Sequence, residues 1–117
     1  MEFNEAIAVL SALAQATRLD AFRELVKHEP HGLAAGDLAR LAKVPQNTLS
    51  THLSVLSQAG LVTSVRRSRS IVYRANLERL RGLAAFLLTD CCGGNAELCG
   101  PVMAELAAFS APKAKAT

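Results

Sequence analysis

Between Val44 and Arg74 the chain changes from a helical repeat to a strand repeat across a single glycine. Leu49, Leu53 and Leu56 recur at helical spacing, and this predicts a helix from about Gln46 to Ala59 with one buried stripe. Its other face carries Ser50, Thr51, His52, Ser54 and Ser57. Gly60 stands just past the helix end, where a left-handed residue without a Cβ closes the last turn. Leu61–Arg66 and Ser70–Arg74 then form two β-branched runs, and Arg67-Ser68-Arg69 lies between them. Such runs predict a hairpin with a basic tip, although the Asn-Gly signal of a tight turn is absent.

Upstream, Asn4–Gln15 places Ile7, Leu10, Leu13 and Ala14 on one helical stripe. Thr17 is expected to cap a second helix, with Leu19, Phe22, Leu25 and Val26 as its apolar side. Glu29-Pro30-His31-Gly32 breaks that pattern. A third helix opens at Ala35 or Gly36 and runs through Leu38, Leu41 and Ala42, and a turn at Val44-Pro45 leads into the fourth. Beyond the hairpin, Asn76 is expected to cap a fifth helix carrying Leu77, Leu80, Leu83, Leu87 and Leu88 and stopping near Cys91–Gly94. Pro101 suits the first position of a last short helix, Val102–Phe109. The fold class expected is mainly α with a β-hairpin wing, a winged helix-turn-helix.

Charge follows the same segment. Leu38–Leu77 contains no Asp or Glu and carries Arg40, Lys43, Arg66, Arg67, Arg69 and Arg74, a local +6 in a chain of net +3, which leaves −3 elsewhere. A basic stretch in an otherwise acidic domain is the footprint of a phosphate-binding face. A helix fits the major groove of duplex DNA, and short polar side chains near its start reach base edges. Gln46, Asn47, Thr48, Ser50, Thr51 and His52 are the candidates for that role, with packing as the alternative for His52. Arg66, Arg67 and Arg69 are the candidates for the DNA backbone or minor groove.

A length of 117 residues with half of them apolar suits one domain, and with aromatics at 4% its core must be aliphatic. The start, Met1-Glu2-Phe3-Asn4-Glu5, is acidic where a secretory leader would be basic. No apolar run approaches the roughly 20 residues of a membrane span. A cytoplasmic protein with no membrane partner is expected. Enzyme chemistry has no foothold: there are no carboxylates paired for acid–base work, no phosphate loop and no nucleophile elbow.

Cys91, Cys92 and Cys99 are the only cysteines. An odd number crowded into nine positions is no disulfide scaffold. Free thiols so grouped imply metal binding or redox sensing. Gly93-Gly94 allows the chain to bend Cys99 back toward the adjacent pair. Three soft donors suit a trivalent pyramidal ion, As(III) or Sb(III). Zinc usually completes a tetrahedron with a fourth Cys or His, and here only Asp90, Glu97 or water is at hand. Cadmium, lead, zinc, methylarsenite and thiol oxidation stay open as other signals through the same cysteines. No cofactor is required.

Thr48-Leu49-Ser50-Thr51-His52-Leu53-Ser54-Val55-Leu56-Ser57-Gln58-Ala59-Gly60-Leu61-Val62 resembles the recognition-helix signature of the ArsR/SmtB metalloregulators. Leu13-Ala14-Gln15-Ala16-Thr17-Arg18-Leu19 is similar to an early segment of the same family, and the likeness spans about residues 5–90. It implies a homodimeric repressor built on the first and fifth helices, binding double-stranded operator DNA at an imperfect inverted repeat. Residues 1–110 would form the DNA-binding and dimerisation domain, with 89–100 as its sensing segment and 111–117 as a flexible tail. Two departures narrow the resemblance. Leu33–Leu38 lacks the Cys-Val-Cys pair of many arsenic-responsive members, and no His follows His52 to build the zinc site of the fifth helix. What remains resembles the arsenic-responsive subgroup with a C-terminal cysteine triad, in which the metalloid acts as inducer.

Overall fold

The computed structural model describes residues 1–89 and 100–106. Five helices and three strands follow in the order α1 (Phe3–Leu13), α2 (Ala16–Lys27), β1 (Leu33–Ala34), α3 (Ala35–Ala42), α4 (Gln46–Gln58), β2 (Val62–Arg67), β3 (Ser70–Ala75) and α5 (Leu77–Thr89). Residues 100–106 are also helical; the remainder of the expected last helix lies outside the described residues.

The core is aliphatic. Leu25, Leu38, Leu49, Leu53, Leu56, Leu61 and Val9 are its largest fully buried side chains, and among the described residues no polar or charged side chain is buried. Each leucine removed from water contributes roughly 1.5–3 kcal/mol before the entropy of ordering it is subtracted. The leucine stripe therefore holds α4 to the core, as its periodicity implies.

α4 ends in a two-bond closure. Gly60 N–H donates to the Ser57 carbonyl at 3.0 Å, and Leu61 N–H donates to the Leu56 carbonyl at 2.9 Å, with Gly60 at φ +79°. This satisfies carbonyls that a helix end would otherwise leave orphaned. The strands are displaced by one residue at the start of β2 because Leu61 is committed to this closure. In the hairpin Val62 pairs with Ala75 and Arg67 with Ser70, so the turn is Ser68-Arg69, with Ser68 at φ 56°.

Three features differ from the sequence expectation. The sheet has a third strand, in the order β1-β3-β2, with Leu33 opposite Tyr73 and Ala34 opposite Val72. Two residues are too few to show a strand period. The cap of α2 is Gln15, not Thr17: its Oε1 accepts from Arg18 N–H at 2.8 Å, and α1 accordingly ends at Leu13. Asn76 precedes α5, but its side-chain amide donates backward to the Gly60 carbonyl at 2.8 Å.

The stripe of α1 also turns out differently. Ala6, Val9 and Ala12 face the core, while Phe3, Ile7 and Leu10 are 66%, 50% and 41% exposed. Both sides of this helix are apolar, and the side with small residues lets α1 lie close against its neighbours. On α2, Ala21 is buried where Leu19 was expected, for the same reason. Among the described residues no helix is long and apolar enough to cross a membrane.

Candidate nucleic-acid interface

α4 begins at Gln46 after Pro45, which supplies no side-chain cap, so the N–H groups of Gln46 and Asn47 keep their hydrogens for solvent or an anion. Gln46, Asn47, Thr48, Ser50 and Thr51 are all exposed on its outer side. Ser50 Oγ donates to the Gln46 carbonyl at 3.0 Å, and Asn47 Oδ1 accepts from Thr48 N–H at 2.9 Å. These local bonds hold the polar side chains of the first turn close to the backbone.

His52 is half-buried. Arg18 Nη1 lies 3.4 Å from its Nδ1. A guanidinium has no acceptor, so in this contact Nδ1 is the accepting atom. The same arginine donates through Nε to the Ala12 carbonyl at 2.6 Å and through Nη2 to that of Ser11 at 3.4 Å. Arg18 thus supplies the cation that the last turn of α1 lacks and joins α1 and α2 to the recognition helix.

Arg66, Arg67 and Arg69 are exposed at the wing. Opposed residues of a hairpin share a face and neighbours along a strand alternate, so Arg66 lies with Ile71, and Arg67 with Ser70 on the other face. The basic stretch divides further. Arg40 pairs with Asp37, which stands one residue before the acid-free window. Arg74 makes a two-pronged pair with Glu29, Nε to Oε1 and Nη2 to Oε2, each at 3.0 Å. The Arg74 guanidinium holds the Glu29 carboxyl below the usual range, and Glu29 in turn raises Arg74. That leaves Lys43, Arg66, Arg67 and Arg69 as the cations of the window with no carboxylate partner among the described residues.

Cys91, Cys92 and Cys99 lie outside the described residues. Among the described ones no group of three His, Cys, Asp or Glu is arranged to hold a metal ion. Sequence reading gave no role to Arg18 or Arg79, although Arg18 stood within the early family-like segment. Arg79 Nε donates to the Ala59 carbonyl at the end of α4, 3.0 Å away, and its Nη1 reaches Glu5 Oε2 of α1 at 3.3 Å. A long-range contact of this kind has no local signal.

Three helices with a wing, an outward polar face on α4 and arginines without a carboxylate partner beside it are the parts expected of a DNA-reading head. A family profile described as a helix-turn-helix domain matches residues 13–65. The crystal structure of NolR from Sinorhizobium fredii is 34% identical with a TM-score of 0.59, covering 72% of this chain and 82% of that one. An ArsR-like transcriptional regulator from Rhodococcus sp. RHA1 is 29% identical with a TM-score of 0.65, covering 92% of this chain and 91% of its own. The chain belongs to the ArsR family of winged-helix transcriptional regulators. Its curated relative YbzH of Bacillus subtilis, an uncharacterized HTH-type transcriptional regulator, is 28% identical over 98 residues, 74% of this chain and 98% of that protein. An ArsR-family regulator binds DNA and is not an enzyme.

Proposed function

We propose that this regulator is a homodimeric repressor of operator DNA that lets go when arsenite or antimonite binds Cys91, Cys92 and Cys99. In this reading Gln46, Asn47, Thr48, Ser50, Thr51 and His52 approach base edges, and Arg66, Arg67 and Arg69 hold the backbone. The observation that carries it is the attachment of α5. That helix is tied through Arg79 to the end of the recognition helix, and its last described residue, Thr89, stands two positions before Cys91. Drawing three thiolates around one ion next to α5 strains the element that positions α4.

Dimerisation supplies the lever. Two recognition helices must stand roughly 34–36 Å apart to enter successive major grooves, so a small change of tilt costs contacts on both half-sites. Phe3, Ile7 and Leu10 of α1 and Leu77 of α5 are exposed apolar side chains for a second copy to cover. The rings of Phe3 and Phe86 meet with centroids 6.4 Å apart and planes tilted by 58°, which joins the two helices. A coupling of about 1–3 kcal/mol weakens DNA binding roughly 5- to 150-fold, and operator DNA must weaken metalloid binding by the same factor.

The test is fluorescence anisotropy on a duplex enriched by the protein from a random-sequence pool. Arsenite, antimonite, cadmium, lead, zinc and methylarsenite are added in turn, to the protein and to each Cys→Ser variant. Release by arsenite or antimonite that any one of the three substitutions abolishes is the expected result. Release that survives the triple Cys→Ser change sinks the cysteine site. Release by another ion, or by an oxidant with a disulfide visible in the mass spectrum, reassigns the signal.

A further inference from the structure

A duplex with α4 in its major groove and the wing tip at the neighbouring minor groove has one sugar–phosphate strand between the two elements, because a backbone strand separates every pair of adjacent grooves. The regulator has a cleft at that place. It measures 270 Å³ and is lined by Gly36 of α3, Gln46 and Ser50 of α4, and Arg69, Ser70 and Tyr73 of the wing. No carboxylate lines it. Arg69 has no acidic partner among the described residues, so its guanidinium is available to an anion. The Gln46 amide and the Ser70 and Tyr73 hydroxyls add neutral donors from two sides. α3 begins beside the cleft after Ala34, and the one acid of its first turn, Asp37, is paired with Arg40.

We propose that this cleft seats one phosphodiester of the DNA backbone in each half-site, clamped between recognition helix and wing. The clamp rests on the DNA-binding reading and deepens it. It gives Arg69 a fixed phosphate partner, separates it in function from Arg67, which does not line the cleft, turns Gln46 to the backbone rather than to a base edge, and adds Gly36 and Ser70 to the interface.

The test turns on Gly36, the second residue of α3. A Cβ built there meets Gln46 Oε1 at 3.5 Å and Arg40 Nη1 at 4.0 Å, so a short side chain fits. Gly36→Asp and Gly36→Asn differ only in charge. A carboxylate at a helix start stabilises the helix, so the Asp variant folds at least as well as the Asn variant. With a phosphate in the cleft, Gly36→Asp nevertheless binds the selected duplex about tenfold more weakly than Gly36→Asn, the value of one charge-assisted contact. Replacing each backbone phosphate in turn by uncharged methylphosphonate gives the position. At one phosphate per half-site the unsubstituted protein loses affinity, while Arg69→Gln, already weakened, loses nothing more. Equal affinity of the two Gly36 variants, or losses that add to Arg69→Gln at every phosphate, would overturn the clamp and leave DNA binding itself intact. A protein that enriches no duplex from the pool would overturn the DNA reading, and the clamp with it.

Discussion

Arg79 donates to the carbonyl of Ala59 across 3.0 Å and so binds the first turn of α5 to the last turn of the recognition helix. Its side chain is 26% exposed, and Glu5 of α1 meets its other end. The bond relieves a helix-end carbonyl that Gly60 and Leu61 do not use. Arg79→Ala is expected to lower stability by about 1–2 kcal/mol, seen as a lower urea midpoint at unchanged slope. DNA affinity should fall further than that of Glu5→Gln, because Glu5 only steadies the guanidinium. Equal DNA affinity of Arg79→Ala and the parent protein would show that α5 does not position α4.

Glu29 and Arg74 separate charge that binds DNA from charge that holds the wing. Arg67→Gln and Arg69→Gln should each flatten the slope of log K against log salt by about 0.9 for every half-site bound. Arg74→Gln should leave the slope unchanged, since its charge is already met by Glu29. The pH dependence has a definite sign. The folded carboxyl of Glu29 titrates below its unfolded value, so the pair contributes stability above about pH 4.3 and loses it as pH falls through the folded value. The stability gap between the parent and Glu29→Gln, measured by urea unfolding, should be present at pH 7 and shrink as pH falls through the folded value of the carboxyl. A gap that stays constant with pH would contradict the pairing.

Much of this was legible in the chain, for identifiable reasons. α4 declares itself because Leu49, Leu53 and Leu56 have only polar residues opposite them, so period and face agree. The wing is legible because β-branched runs flank a basic tip. α1 misleads because period alone cannot choose between two apolar sides, and the larger residues Ile7 and Leu10 point away from the core. The basic window overstates the free charge because Asp37, one residue before it, and Glu29, nine residues before it, are the partners of Arg40 and Arg74. Gln15 and Thr17 are both competent caps, and only the path of the chain between α1 and α2 selects one. β1 and the bonds of Arg18 and Arg79 depend on residues far apart in sequence, where no local pattern reaches.

Two residues in the left-handed region should respond oppositely to substitution. Gly32 has φ +79°, and a Cβ there would stand 2.4 Å from the Tyr73 carbonyl, against the β1–β3 pairing. Gly32→Ala combines that overlap with backbone strain and should cost at least about 2 kcal/mol by urea unfolding. Lys43 has φ 59° at the end of α3, with its N–H on the Arg40 carbonyl and that of Val44 on Ala39. A lysine here carries a Cβ penalty that glycine avoids. Lys43→Gly should raise stability by about 0.5–1 kcal/mol after the added freedom of the unfolded chain is counted.

Ile7 tests the dimer without disturbing the core. It is half exposed on α1, between Phe3 and Leu10, and the monomer's own packing uses Ala6, Val9 and Ala12 instead. A carboxylate at this position is tolerated in a monomer, where it meets water, and is costly in a dimer, where it would be buried against apolar side chains with no partner. Ile7→Asp is therefore expected to keep the parent's helical circular dichroism while sedimenting as a monomer at micromolar concentration. Losing the second reading head removes the gain of binding two half-sites at once, so affinity for an inverted repeat should fall by about 100-fold or more, while a single half-site is bound as before. A variant that remains dimeric and grips the inverted repeat as the parent does would place the interface somewhere other than this face of α1.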